Sequence, residues 1–205
     1  MIQFGKQEFI FVGLGNPGEK YANTRHNIGY IAIRAFAQQM GWQFKEEKRY
    51  EALVAKGVAA GHDVHLLLPL TYMNLSGRAV RKYLDFFKLD PTSLVVVVDE
   101  IALPFGQLRL KAMGSAGGHN GLKSVEAYLG TTAYMRLRMG IGHPGEKILS
   151  NYVLDPFSPE ELKELESFVN QSVEVLQRLF REEAAQVMNT VNTKMNRLNK
   201  PPILG

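Results

Sequence analysis

The chain has 205 residues, 45% of them apolar, enough for one hydrophobic core and near the size at which a single core is still the rule. It contains no cysteine, which excludes a disulfide framework, a thiolate zinc site and a cysteine nucleophile. Twenty-four Lys and Arg against twenty Asp and Glu leave a net charge of +4, a bias that favours a polyanionic partner only if the charges cluster.

The first residues, Met1-Ile-Gln-Phe-Gly-Lys-Gln-Glu, do not form a basic segment followed by an apolar run. No stretch approaches the roughly 18 apolar residues of a spanning helix. The expectation is one cytoplasmic domain over 1–205, with a core at about 9–198 and a short tail at 199–205.

In chain order, Phe9-Ile-Phe-Val-Gly-Leu predicts a buried strand that ends in the turn Gly15-Asn-Pro-Gly18. A helix follows, with Thr24 as its cap, Ile28, Ile31, Ala32, Ala35 and Phe36 on one face, and Gly41 as its stop. Strands at about 52–59 and 64–68 run up to Pro69, and Ser76 caps a helix that carries Val80, Tyr83, Leu84 and Phe87. Leu94-Val-Val-Val-Val is apolar on both faces, as a central strand covered by helices should be, and it ends in Asp99-Glu100. A strand at 107–111, a glycine-rich loop at 114–121 and a helix to about 129 come next. Strict alternation over 134–141 puts Arg136 and Arg138 on one face of a strand, giving it a basic side. Ser158-Pro-Glu-Glu opens a long amphipathic helix through Leu162, Leu165, Phe168, Val169, Leu176, Leu179 and Phe180. A second stripe runs from Val187 through Met188 and Val191 to Met195 before Pro201-Pro202. Strands alternating with helices predict a single α/β domain: a mostly parallel, twisted, mixed sheet with helices on both faces and further helices at the C-terminus.

In such sheets sites collect beyond the carboxyl ends of the parallel strands. Asn16, Asn74, Asp99, His119 and Asn120 all fall there if the strands are parallel. His26 lies just downstream of the same rim and is placed to reach Asp99. A carboxylate fixes the tautomer of a histidine and stabilises its imidazolium, which makes a general base near neutral pH. The alternative for His26 is a helix-start histidine bonded to backbone. For Asp99 it is a turn residue or cap, although a carboxylate after five buried apolar residues must find a donor. Each asparagine alone could simply stabilise its turn. Together they offer amides suited to gripping a peptide backbone or an oxyanion.

Other motifs compete. Gly13-Leu-Gly-Asn-Pro-Gly18 matches the GxGxxG string of dinucleotide-binding oxidoreductases, but Pro17 sits in the turn and no acidic residue ends a second strand about twenty positions on. The loop Gly114-Ser-Ala-Gly-Gly-His-Asn-Gly121 could cradle a phosphate but lacks the Lys-Ser/Thr ending of an NTPase. Ser115 lies in no nucleophile elbow. His62 and His65, three apart on a strand, point to opposite faces, so no metal site is expected.

Five segments in order are similar to the signatures of bacterial-type peptidyl-tRNA hydrolases: Gly13 to Gly29, Pro69-Leu-Thr-Tyr-Met-Asn-Leu-Ser-Gly77, Asp99-Glu-Ile-Ala-Leu-Pro104, Gly114 to Ser124, and Arg136-Leu-Arg-Met-Gly-Ile-Gly-His-Pro-Gly145. The resemblance runs from about residue 9 to the C-terminal helices. It implies a monomer with no cofactor and no obligate protein partner, and cleavage of the ester between a peptide and the 3′-terminal ribose of tRNA. By motif position, His26 is the base paired with Asp99, and Asn16 and Asn74 position the ester and adjoining peptide. Tyr21, Tyr72, Met73 and His119 fall among the substrate contacts, and Asn120 holds the peptide backbone or the attacking water. Lys111, Arg138 and Lys147 match tRNA-binding positions, although both lysines also read as ordinary solvated side chains. The chain departs from the family at Ala102, where a second acid commonly stands three residues after the first. Two rivals of other classes stay open at this point: a dinucleotide-dependent oxidoreductase and a tRNA-binding factor without activity.

Overall fold

The computed structural model describes residues 7–143, 145 and 147–198. Seven strands form one sheet: β1 (Glu8–Gly13), β2 (Lys45–Glu47), β3 (Ala52–Ala59), β4 (His62–Pro69), β5 (Leu94–Glu100), β6 (Leu108–Lys111) and β7 (Met135–Gly140). Their order is β2-β3-β4-β1-β5-β7-β6. The four central strands, β4, β1, β5 and β7, are mutually parallel. Antiparallel strands flank them, β3 and β2 on one side and β6 on the other.

Helices cover both faces. α1 (Ile28–Gln39), α5 (Pro159–Arg178) and α6 (Ala184–Leu198) pack on one side through Ile28, Phe36, Phe168, Val173 and Val187. α2 (Ser76–Phe87) and α3 (Asn120–Leu129) pack on the other through Val80, Tyr83, Leu122 and Val125. β5 feeds both layers, Val95 and Val97 into the first and Leu94, Val96 and Val98 into the second. That explains its unbroken apolar run, because neither face of this strand meets water. A short helix, α4 (Leu149–Leu154), stands apart and buries no residue. No helix is long and apolar enough to cross a membrane among the described residues.

Several local expectations need correction. Thr24 does not cap α1: its hydroxyl donates to the Tyr21 carbonyl at 2.9 Å, and a 3₁₀ turn over Arg25–Asn27 intervenes before the helix begins at Ile28. Ser76 is the first residue of α2, with a buried hydroxyl that has no hydrogen-bond partner among the described residues, because a 3₁₀ turn at Met73–Leu75 already leads the chain in. Ser158, by contrast, forms a full capping box with Glu161. α5 ends at Arg178, so Leu179 and Phe180 are buried beyond the helix instead of within it. β2 and α4 carry no sequence signal: the first is three charged, exposed residues and the second a single exposed turn and a half. Met195 and Pro201-Pro202 lie outside the residues whose side chains are described.

The glycines of the first motif serve packing. A Cβ on Gly13 would strike the backbone of Gly29, and one on Gly29 would strike Val97 and Leu14, so α1 presses directly onto β1 and β5. In a dinucleotide fold this strand-to-helix junction opens onto the pyrophosphate. Here α1 starts ten residues after Gly18 and its first turn fills that space, which removes the physical basis of the oxidoreductase reading.

Candidate active site

Asp99 is the sixth residue of β5, and its carboxylate is 4% exposed at the carboxyl rim of the parallel strands. A single oxygen, Oδ1, meets two imidazoles: Nδ1 of His26 at 2.8 Å and Nε2 of His119 at 2.9 Å. The tautomers follow from the neighbours. Nδ1 of His119 accepts the backbone N–H groups of Gly121 and Leu122 at 3.1 and 3.2 Å, capping α3, so the proton of that ring sits on Nε2 and is donated to Asp99. His26 likewise donates from Nδ1, which leaves its Nε2 as a lone pair. Burial works against charge on Asp99, but the two imidazoles outweigh it and hold the carboxyl far below the usual carboxylate range. For His26 burial again opposes charge, and the Asp99 carboxylate overrides it and raises the imidazole above its ordinary value.

The ligand atoms of His26, Asp99 and His119 lie within 4.8 Å of one another, a spacing that a metal could span. The donor set does not suit one. Nε2 of His119 is protonated by the cap geometry, and the nitrogen that His26 turns to Asp99 is likewise a donor. The same cap occupies the N–H groups at the start of α3, so the glycine loop does not offer them to a phosphate.

Asn16 is fixed from three directions. Its N–H donates to Asn27 Oδ1 and its carbonyl accepts from Asn27 Nδ2, both at 2.9 Å, while its own Oδ1 accepts the Met73 N–H at 2.8 Å. The amide NH₂ is what remains for a ligand. Sequence reasoning missed Asn27, which is buried and shows its purpose only through this reciprocal pair with a residue eleven positions away.

Two hollows meet at His26. One of about 350 Å³ is lined by Asn16, Tyr72, Met73, Asn74, Val153 and Leu154. The other, about 420 Å³, runs past Asp99, Ile101, Gly117, Gly118, Arg138 and Leu149. His26, Asn120, Ser150 and Val153 belong to both. A larger hollow of about 650 Å³ lies at the opposite end of the sheet, beside Gln7, His62 and Phe180, away from this chemistry. There His62 bonds Gln7 and Phe180, whereas His65 faces Tyr83 on the other layer with its imidazole pushed down by burial to about 4.

The remaining residues are scattered. Tyr21 lies outside both hollows that share His26. Lys111 ends the edge strand β6 and is exposed; Lys147 is exposed before α4 and pairs with Asp155 at 3.0 Å. Arg136 and Arg138 do not give β7 an open basic side. Arg136 is fully buried against Glu126, the Thr132 and Tyr134 carbonyls and the Tyr134 ring. Arg138 is 6% exposed, with one nitrogen on Glu100 and another on the Ser115 carbonyl. It ties the glycine loop to β5 at the edge of the hollow that holds His26, since a cation inside a sheet layer must be paired where it lies. At Ala102 the backbone N–H donates to Glu100, so the local turn closes without a second acid.

An imidazole held by a buried carboxylate, with amide donors beside it, is equipped to activate water against a carbonyl. Fold and rim together therefore define an α/β enzyme of the hydrolase kind. The family model described as peptidyl-tRNA hydrolase matches residues 10–199, and the chain belongs to that family. Similar proteins include the peptidyl-tRNA hydrolase of Gloeobacter violaceus, 43% identical over 90% of this chain and 94% of the relative. That of Bacillus subtilis is 42% identical over 91% and 99%. The crystal structure of peptidyl-tRNA hydrolase from Acinetobacter baumannii superposes with a TM-score of 0.85 at 36% identity, covering 90% of this chain and 94% of that one.

Proposed function

We propose that this peptidyl-tRNA hydrolase cleaves the ester between a peptide and the 3′-terminal ribose of tRNA with water activated by His26. The observation that carries the reading is the His26–Asp99 pair at the boundary of two hollows, where an ester with a bulky group on each side would place its carbonyl. Nε2 of His26 takes a proton from water, and the new hydroxide bonds to the carbonyl carbon. The amide NH₂ groups of Asn16 and Asn120 stabilise the oxyanion. The ribose oxygen then leaves with the proton from His26. The asparagine-lined hollow takes the acyl group, with Asn74, Tyr72 and Met73 along it, and the other takes the terminal ribose. His119 serves the reaction through Asp99 and the start of α3. Lys111 and Lys147 contact phosphates of the tRNA. The enzyme works in the cytoplasm as a monomer.

Incubation with N-acetyl-aminoacyl-tRNA and with the same aminoacyl-tRNA left unblocked, both with chelator, tests this. Cleavage of the blocked ester alone is expected. Equal cleavage of both would remove the peptide-reading role of the asparagines, and loss of activity to chelator would remove the water-and-imidazole chemistry.

A further inference from the structure

Arg25 immediately precedes the base, yet its side chain serves another part of the molecule. Nε and Nη2 donate to Glu161 at 3.3 and 2.6 Å. Nη1 donates to the Pro156 carbonyl at 2.8 Å and reaches those of Tyr152 and Asp155 at 3.5 Å. The guanidinium also lies 4.5 Å from the centre of the Tyr152 ring. Backbone contacts follow the same line: the Arg25 N–H donates to the Asp155 carbonyl at 3.2 Å, and Thr24 forms an isolated bridge with Pro156. A buried guanidinium with this many acceptors, all more than 120 positions away, is a fastening between the 3₁₀ turn of the base and the segment where α4 ends.

α4 needs such a fastening. It has six residues, none of them buried, and a helix that short has no stability of its own. Apart from the Arg25 contacts, Tyr152 Oη donates to the Ile141 carbonyl at 2.5 Å and the exposed Lys147–Asp155 pair spans its ends. Even so, α4 supplies Val153 and Leu154 to the hollow that also holds Asn16 and Asn74. Leu154 is 40% exposed there, apolar surface with nothing yet covering it.

We infer that Arg25 is a positioning residue that holds α4 against the cleft as an apolar wall, and that this wall selects for the side chain of the amino acid joined to tRNA. The substrate named here rests on the hydrolase reading; the fastening does not. The base has separate anchors, Asp99 on its ring and the Asn27–Asn16 pair on its turn, so releasing α4 leaves it in place.

Two measurements on Arg25→Gln separate these roles. Amide hydrogen exchange over 149–155 accelerates in the variant, and with it that of the Arg25 N–H bonded to Asp155, while the amides of 27–28, bonded within the turn, keep their protection; unchanged exchange in α4 overturns the fastening, whatever the activity. In steady-state kinetics, KM for N-acetyl-leucyl-tRNA rises about tenfold, the scale of a lost apolar side-chain contact, and KM for N-acetyl-glycyl-tRNA stays near wild type. kcat and the acidic limb of the pH profile hold. An equal KM rise for both esters, or a lower kcat with a displaced acidic limb, assigns Arg25 to the base instead. Val153→Ser provides the same leucyl-selective rise with Arg25 intact, and decides the matter if Arg25→Gln does not fold; a uniform or absent effect overturns the wall. Failure of the wild type to cleave either ester is a failure of the hydrolase reading, and exchange still judges the fastening.

Discussion

Asp99 receives two N–H groups on one oxygen, and its charge is what keeps the neighbouring imidazole basic. An Asn at this position still accepts a hydrogen bond but no longer offsets the charge of an imidazolium. The sign follows: His26 has its ionisation raised by the carboxylate, so Asp99→Asn lowers it, and the acidic limb of kcat/KM moves to lower pH while the plateau falls. A full pH–rate profile of the free enzyme checks this, and an unmoved limb would show that the pair does not set the basicity of His26. The pairing of His26 with Asp99 was legible because strand ends converge on one rim. The pairing of His119 with Asp99 was not, although His119 was placed on the rim, since its three bonds depend on a loop in which Gly117 and Gly118 take φ of 60° and 88°. The pairing of Arg138 with Glu100 was hidden for a related reason: alternation on a strand tells which face a side chain takes, not whether an acid waits there.

At the level of elements, the edge strand β6 is closed by a side chain. The Leu110 N–H donates to Asn192 Oδ1 at 3.1 Å and its carbonyl accepts Asn192 Nδ2 at 3.0 Å, so one asparagine of α6 stands in for a neighbouring strand. Asn192→Ala leaves both backbone groups without these partners. It should cost about 1–3 kcal/mol in denaturant unfolding with kcat and KM unchanged. A stability loss accompanied by an equal loss of kcat would mean that α6 shapes the cleft. The main strands and helices were readable from their periodicity, since β5 is apolar on both faces and α5 opens with a capping box. β2 and α4 were not, because neither buries an apolar stripe: β2 exists by pairing with β3, and α4 by what its ends are tied to.

For the whole molecule, the net charge of +4 becomes meaningful only through where its cations are free. Arg25, Arg136 and Arg138 are buried in internal pairs, whereas Lys111 and Lys147 are exposed, Lys147 in a surface pair with Asp155 that water screens and a phosphate can displace. Lys147→Ala should therefore raise KM for the complete tRNA substrate, reduce the salt dependence of binding by about one phosphate contact, and spare a short nucleotide ester. Equal losses on the long and the short substrate would place Lys147 at the ester itself. The family was legible from five motifs in order, and the internal pairing of Arg25, Arg136 and Arg138 was not, because pairing is a property of the folded state.

The central claim is that His26 is the base. Single-turnover cleavage of N-acetyl-aminoacyl-tRNA by His26→Ala, with far-UV circular dichroism to confirm the fold, tests it most directly. The expected result is a folded protein whose rate is lower by about 10² to 10⁴, the usual contribution of a positioned general base. A folded variant that cleaves at close to the wild-type rate would contradict the assignment and with it the mechanism.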